Sequence, residues 1–273
     1  MSEFLPQRVV SLQPSATSIL ARLGVLDRVV ACTKYCRDVC PEIAERKHMI
    51  VADSWSAQSA QILAAKPDLV LASVPYQLES VGEILKAGIP FLALAPHRLA
   101  DVYADITKIA ALMGVAERGH RLIAGMKEEI ERVRACSAYL SLPERPRVFC
   151  EEWGKPIIHS QGWVAELVTA CGGEFLGTPG AHTTADQVRT LCPDVVVAAW
   201  CGAGDRVPLE KIARERGWDN LPAVRHCRVY CVRDELLNTP GPALIDGLHA
   251  LAHAINPRLW PSARGIRRIA QPE

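Results

Sequence analysis

The side chains in this chain that could do chemistry fall in short polar segments after apolar runs. These segments offer the thiols of Cys36 and Cys201, with Cys150 as a further one, together with carboxylates at Glu151 and Glu152 and an imidazole at His159. A soft thiolate pair with Glu152 and His159 could hold Zn(II), Fe or another soft metal. The plainer account is that Cys36 and Cys201 are inert loop residues without a common neighbour. That account weighs more, because their spacing is non-local and no CxxC pair occurs. A thiol nucleophile at either position would need a depressed pKa and a nearby base, and Lys34 and Arg37 could lower the first. No nucleophile elbow, P-loop or HExxH is present, so catalysis is not expected. Cys201-Gly202-Ala203-Gly204 is a poor phosphate loop, since Asp205 follows at once and Pro208 interrupts the next turn.

Aromatic residues make up only 5% of the chain, yet Tyr35, Tyr76, Trp153 and Trp200 all fall in these segments. Trp55, just before a helical pattern, joins them. Such a set suits a large, flat, partly apolar ligand, with Gln13, Tyr35 and Asn238 fixing its orientation. Ser11, Pro14 and Pro75 lie in the same segments. The competing account is that each Trp packs under its own loop.

The elements that must position these residues are visible in an internal repeat. Ala60–Ala72 recurs as Asp186–Ala198, with Gln61/Gln187, Pro67/Pro193 and Asp68/Asp194 in one register. Each copy reads as a short helix, a Pro-Asp corner and a strand buried on both faces. Upstream of each copy lies another strand and helix: Arg8–Leu12 before a helix near Ala16–Leu23, and Arg147–Cys150 before one near Trp163–Ala170. Gly88–Leu94 and Arg228–Val232 add a strand each. Val102, Ile106, Ile109 and Met113 mark one amphipathic helix; Ile123, Met126, Ile130 and Val133 mark a second, long one.

The expected fold is α/β: two Rossmann-like lobes with parallel sheets, joined by a long rigid helix, with a ligand cleft between them. The boundaries are 1–113 for the first lobe, 114–141 for the linking helix and 142–273 for the second lobe. Cys32, Cys36 and Cys40 are read as a loop because Pro41 and polar neighbours intervene. Cys136, Cys171 and Cys192 read as small buried hydrophobes, and His249 and His253 as residues on a helix surface.

Composition excludes other classes. With 31 Lys+Arg against 30 Asp+Glu, the chain has no basic field for nucleic acid. The longest apolar run, Val195–Cys201, is too short to span a bilayer. Glu3 stands where a basic n-region would be, and no apolar stretch follows. A cytoplasmic location with ten reduced thiols is therefore expected, or a periplasmic one had a leader been removed. A monomer is expected.

Three segments carry a family resemblance: Arg8–Thr17, Leu63–Val70 and Ala223–Tyr230. They resemble the cobalamin-binding and iron-siderophore-binding solute receptors of ABC importers, and the similarity runs from about residue 8 to 257. The nearer likeness is to leaderless members of the cobalamin-binding branch. The resemblance implies two α/β lobes and a bound corrinoid or related metal chelate, with no further cofactor required. It implies that the Ser11–Ser15 loop and Trp55 approach the corrin, and that loops around Trp153 and Trp200 close over it. A thiolate could also ligate a bound cobalt. An exported receptor would dock to an ABC permease through acidic residues, for which Glu79 is a candidate. The alternative is an intracellular metal-binding or thiol-dependent protein that reuses this fold.

Overall fold

Apolar runs of strand length, separated by amphipathic stretches and punctuated by Gly and Pro, dictate an alternation of strand and helix that begins at Val9. The structure is a computed structural model and describes residues 5–46, 48–52, 56, 58–73, 78–138 and 145–270. It divides into two compact units. The first comprises Met1–Pro96, Ala100–Gly125 and Pro240–Pro242; the second comprises His97–Leu99, Met126–Thr239 and Ala243–Glu273.

In chain order the first part contains β1 (Val9–Ser11), α1 (Pro14–Arg22), β2 (Val29–Thr33), α2 (Lys34–Val39), β3 (Met49–Val51), α3 (Ser59–Ala64), β4 (Leu69–Ser73), α4 (Leu78–Lys86) and β5 (Phe91–Leu94). The strands form a parallel sheet in the order β3-β2-β1-β4-β5. Central β1 and β4 are buried throughout, as strands covered on both faces must be. The helices α5 (Leu99–Leu112) and α6 (Ala116–Ala138) follow. The predicted stripe Val102, Ile106, Ile109 and Met113 is fully buried. In α6, the part through Gly125 belongs to the first unit and the part from Met126 to the second. Met126, Ile130 and Val133 are buried as their spacing required.

The second unit contains β6 (Arg147–Gly154), β7 (Ile157–His159), α7 (Gly162–Ala170), β8 (Glu174–Phe175), β9 (His182–Thr183), α8 (Ala185–Leu191), β10 (Val195–Ala198), α9 (Leu209–Glu215), α10 (Pro222–Arg225), β11 (Val229–Val232), α11 (Asp234–Leu237), α12 (Leu244–Ile255) and β12 (Ile266–Arg268). Its sheet runs β12-β11-β10-β6-β7-β9, with β8 also paired to β6. The expectation of parallel pairing holds only for β8, β6, β10 and β11; β7 pairs antiparallel with both β6 and β9, and β12 antiparallel with β11. The cause is local. Only Lys155 and Pro156 separate β6 from β7, and so short a connection joins antiparallel neighbours.

Both copies of the repeat fold as read. Lys66 and Cys192, each before the proline, adopt left-handed φ of 48° and 49°. The Gln matches differ in role. Gln187 completes a capping box with Thr184 at the start of α8, whereas Gln61 Oε1 accepts from the Ala52 N–H at 3.2 Å.

Three readings are corrected. Cys36 lies in helix α2 and not in a loop, because Pro41 ends the helix and opens a 3₁₀ turn at Pro41–Ile43. Cys192 is exposed at the left-handed end of α8, and Cys136 is half-buried. His249 and His253 are half-buried and bonded: His249 Nε2 meets Glu129 Oε1 at 2.5 Å, and His253 Nδ1 meets the Trp260 carbonyl at 2.7 Å.

Candidate functional site

In the second unit β6 and β10 are parallel neighbours, with Ala198 beside Glu151. From β6 the chain turns to β7 and β8 on one side, and later reaches β10 on the other. The carboxyl ends of these two strands therefore form a topological switch point, where ligands of parallel sheets settle. Glu151, Glu152 and Trp153 end β6; Trp200 and Cys201 follow β10.

Glu151 is fully buried and has both oxygens engaged. Oε1 accepts from Trp200 Nε1 at 2.9 Å, and Oε2 from Arg216 Nη1 at 2.7 Å. Arg216 also donates through Nη2 to the Gly154 carbonyl at 3.0 Å. Its guanidinium lies 4.8 Å from the Trp218 ring centre and 5.8 Å from that of Trp200. Burial pushes the Glu151 carboxyl up, while Arg216 and the Trp200 N–H oppose it. An unpaired charge there would cost several kcal/mol, so Arg216 is what makes the carboxylate tolerable. Gly154 completes the arrangement, since a Cβ at this position would stand 2.3 Å from Trp200 Cζ2.

Glu152 is engaged elsewhere, at a break in the β6–β7 register between Glu151 and Trp153. Its Oε1 accepts from Gln161 Nε2 at 2.6 Å, and burial pushes its carboxyl up to about 6. Asn238 Nδ2 donates to the Ala199 carbonyl at 2.6 Å and to Cys201 Sγ at 3.2 Å, while its buried Oδ1 has no partner. Desolvation, then the Glu152 and Asp234 charges, push the Cys201 thiol up to about 12. Asp234 accepts from the N–H groups of Gly202 and Gly204, both at 2.8 Å and both at positive φ. The turn's amides are thus already spent on a carboxylate, which is why it is no phosphate loop.

A cavity of about 580 Å³ opens beside these groups, lined among others by Trp153, Gly154, Trp200, Cys201, Lys211 and Arg216. Its volume is in the range of small-molecule sites. Trp153 is 42% exposed and donates to the carbonyl of Lys155 at 2.9 Å, so it does pack on its own loop while keeping a free face.

In the first unit the expected residues also gather at strand ends. Ser11 is buried; its Oγ accepts from Thr17 Oγ1 at 2.8 Å and donates to the Gln13 carbonyl at 3.2 Å. Gln13 and Pro14 are half-buried at the start of α1. Tyr35 is half-buried, with Lys34 Nζ 4.9 Å from its ring centre. Trp55, Pro75 and Tyr76 lie outside the described residues.

Among the described residues, no group of three or more His, Cys, Asp or Glu is placed to hold a metal ion. Cys36 is fully buried, its sulfur 3.3 Å from Thr33 Oγ1 and 3.8 Å from the Ser11 carbonyl. His159 is packed edge-on against Phe149 at 5.2 Å, and burial lowers its pKa, so it is a neutral core ring. Glu152 is held by Gln161 and Cys201 by Asn238. Cys150 is fully buried and its thiol pushed up by that burial.

Arg216, Gly154, Gln161, Asp234 and Lys211 were not singled out from sequence. One signal was available: alternation along β6 puts Glu151 on the same face as the core residue Phe149, and a carboxylate so placed demands a cation.

The chain thus has two α/β units, the second with a pocket at its strand ends. Residues 9–236 match the family described as periplasmic binding protein, and the chain belongs to that family, one of binding proteins and not of enzymes. It is 28% identical over 262 residues to an uncharacterized ABC transporter substrate-binding lipoprotein, YvrC, of Bacillus subtilis, covering 92% of this chain and 81% of that one. It is 26% identical over 250 residues to the vitamin B12-binding protein of Vibrio parahaemolyticus, covering 89% and 86%. Among solved structures, a periplasmic heme binding protein from Pseudomonas aeruginosa superposes with a TM-score of 0.84 at 19% identity, covering 98% and 99%. Among the described residues, no helix is long and apolar enough to cross a membrane.

Proposed function

We propose that this chain is a solute-binding protein for a corrinoid of the cobalamin type or a related metal chelate. The observation that carries the reading is the cavity at the ends of β6 and β10, with Trp153 and Trp200 in its wall and Lys211, Glu215 and Arg216 as its charged lining. Two indoles supply apolar and stacking area for a macrocycle. Lys211 and Arg216, also in that wall, supply donors for the polar groups at a macrocycle's rim. The vitamin B12-binding relative supports the corrinoid over other chelates; the heme-binding neighbour supports only the fold.

Titration with cyanocobalamin, and separately with hemin, followed by ligand absorption and Trp emission, tests this reading. Saturable quenching by cyanocobalamin, weakened by W153F and W200F, is the expected result. No response to cyanocobalamin at high micromolar concentration, with saturable binding of hemin, would replace the corrinoid by a heme-type ligand.

For the compartment we propose the cytoplasm, on the ten unpaired cysteines, seven of them buried. Recovery of the tagged protein in a periplasmic extract would overturn this and make an ABC permease its immediate partner.

A further inference from the structure

Glu151 has no exposed surface and cannot touch a solute, yet both its oxygens are committed to the pocket wall. We propose that Glu151 is a positioning residue: paired with Arg216, it holds the Trp200 indole in one orientation, so that the cavity offers a preformed flat face to a planar ring. This rests on the reading that the cavity binds a flat metal chelate. Three contacts fix the indole. Its N–H is directed to Glu151 Oε1, the Arg216 guanidinium lies over its ring, and its six-membered ring fills the space that a Cβ at Gly154 would need. Arg216 in turn bonds both Glu151 and the Gly154 carbonyl, so the four residues close a ring of contacts. An ionised carboxylate accepts from the indole N–H and the guanidinium together, one on each oxygen, which an amide at this place cannot do. A side chain ordered before the ligand arrives costs less to order on binding. The fold thus commits a fully buried carboxylate, paired with the part-buried Arg216, to a residue at the pocket surface.

The test measures cyanocobalamin affinity and the near-ultraviolet circular dichroism of Trp200, the latter as the difference between each protein and its W200F counterpart. Wild type, Glu151→Gln and Gly154→Ala are each compared with and without Trp200→Phe. Both single changes should alter the Trp200 signal and weaken binding by about fivefold or more, whereas in the W200F background neither should matter by more than about twofold. Equal losses with and without Trp200, or an unchanged Trp200 signal, would overturn the proposal. Gly154→Ala leaves the ion pair intact, so it decides the matter if Glu151→Gln does not fold. Failure of wild type to bind cyanocobalamin sinks the functional reading alone; the Trp200 signal still judges the positioning role.

Discussion

Asp194 and Arg147 hold each other through two hydrogen bonds: the Asp194 N–H donates to the Arg147 carbonyl at 2.8 Å, and the Arg147 N–H donates to Asp194 Oδ2 at 2.8 Å. The other copy of the repeat makes the same clasp, with the Asp68 N–H on the Arg8 carbonyl at 2.9 Å and the Arg8 N–H on Asp68 Oδ1 at 2.9 Å. In both units the Pro-Asp corner thereby sets the start of one central strand beside the start of its neighbour. Asp194→Ala leaves the part-buried Arg147 N–H without its acceptor and should cost about 1–3 kcal/mol, with Asp194→Asn recovering part of the loss. Urea unfolding followed by circular dichroism reads this directly.

The Glu152 carboxyl stands at about 6 against an ordinary 4.5, because burial disfavours its charged form. The folded chain therefore binds this proton more tightly than the unfolded chain does. Its contribution to stability is fully present below pH 4.5 and is lost as the pH rises through about 6. The loss is at most about 2 kcal/mol. Comparing urea midpoints of wild type and Glu152→Gln across this window should show that the variant lacks that part of the slope.

Of the ten thiols, only Cys192 and Cys201 are on exposed residues, and Cys201 is pushed up to about 12. With DTNB near pH 8, one thiol should react quickly and disappear in Cys192→Ser. Cys201 should follow about tenfold or more slowly, and its rate should climb with pH, because the thiolate is the reacting form. Rapid labelling that survives Cys192→Ser would contradict this assignment.

Phe149 is fully buried and meets His159 at 5.2 Å and Trp218 at 5.9 Å, both edge-on. Phe149→Ala empties the space between these rings and should destabilise the protein by about 3–5 kcal/mol. Denaturant unfolding measures the shift.

The parts legible from sequence were those written in neighbouring residues. The stripe from Val102 to Met113, the two Pro-Asp corners and the buried strand at Val195–Ala198 follow from periods of 3.6 and 2 and from proline stereochemistry. Tyr35, Trp153 and Trp200 could be placed at strand ends for the same reason. The helix at Lys34–Val39 was misread because one proline both forbids a helix and ends one, and only its register against β2 tells which. The antiparallel strands β7, β9 and β12 escaped because they are two or three residues long and carry no periodicity of their own.

The cysteines show where sequence stops. Their types and spacing raised a metal pair at Cys36 and Cys201, but a thiol's partners are set by what the fold brings near it. For Cys36 those are Thr33 and the Ser11 carbonyl, and for Cys201 Asn238. Sequence by itself determined the alternation of strand and helix, and with it which residues stand at strand ends, because those properties depend on neighbours a few positions away. Only the tertiary structure decided which groups the buried Glu151 carboxylate meets, Trp200 on one oxygen and Arg216 on the other. Its cation, Arg216, lies 65 residues along the chain, and no local preference reaches that far.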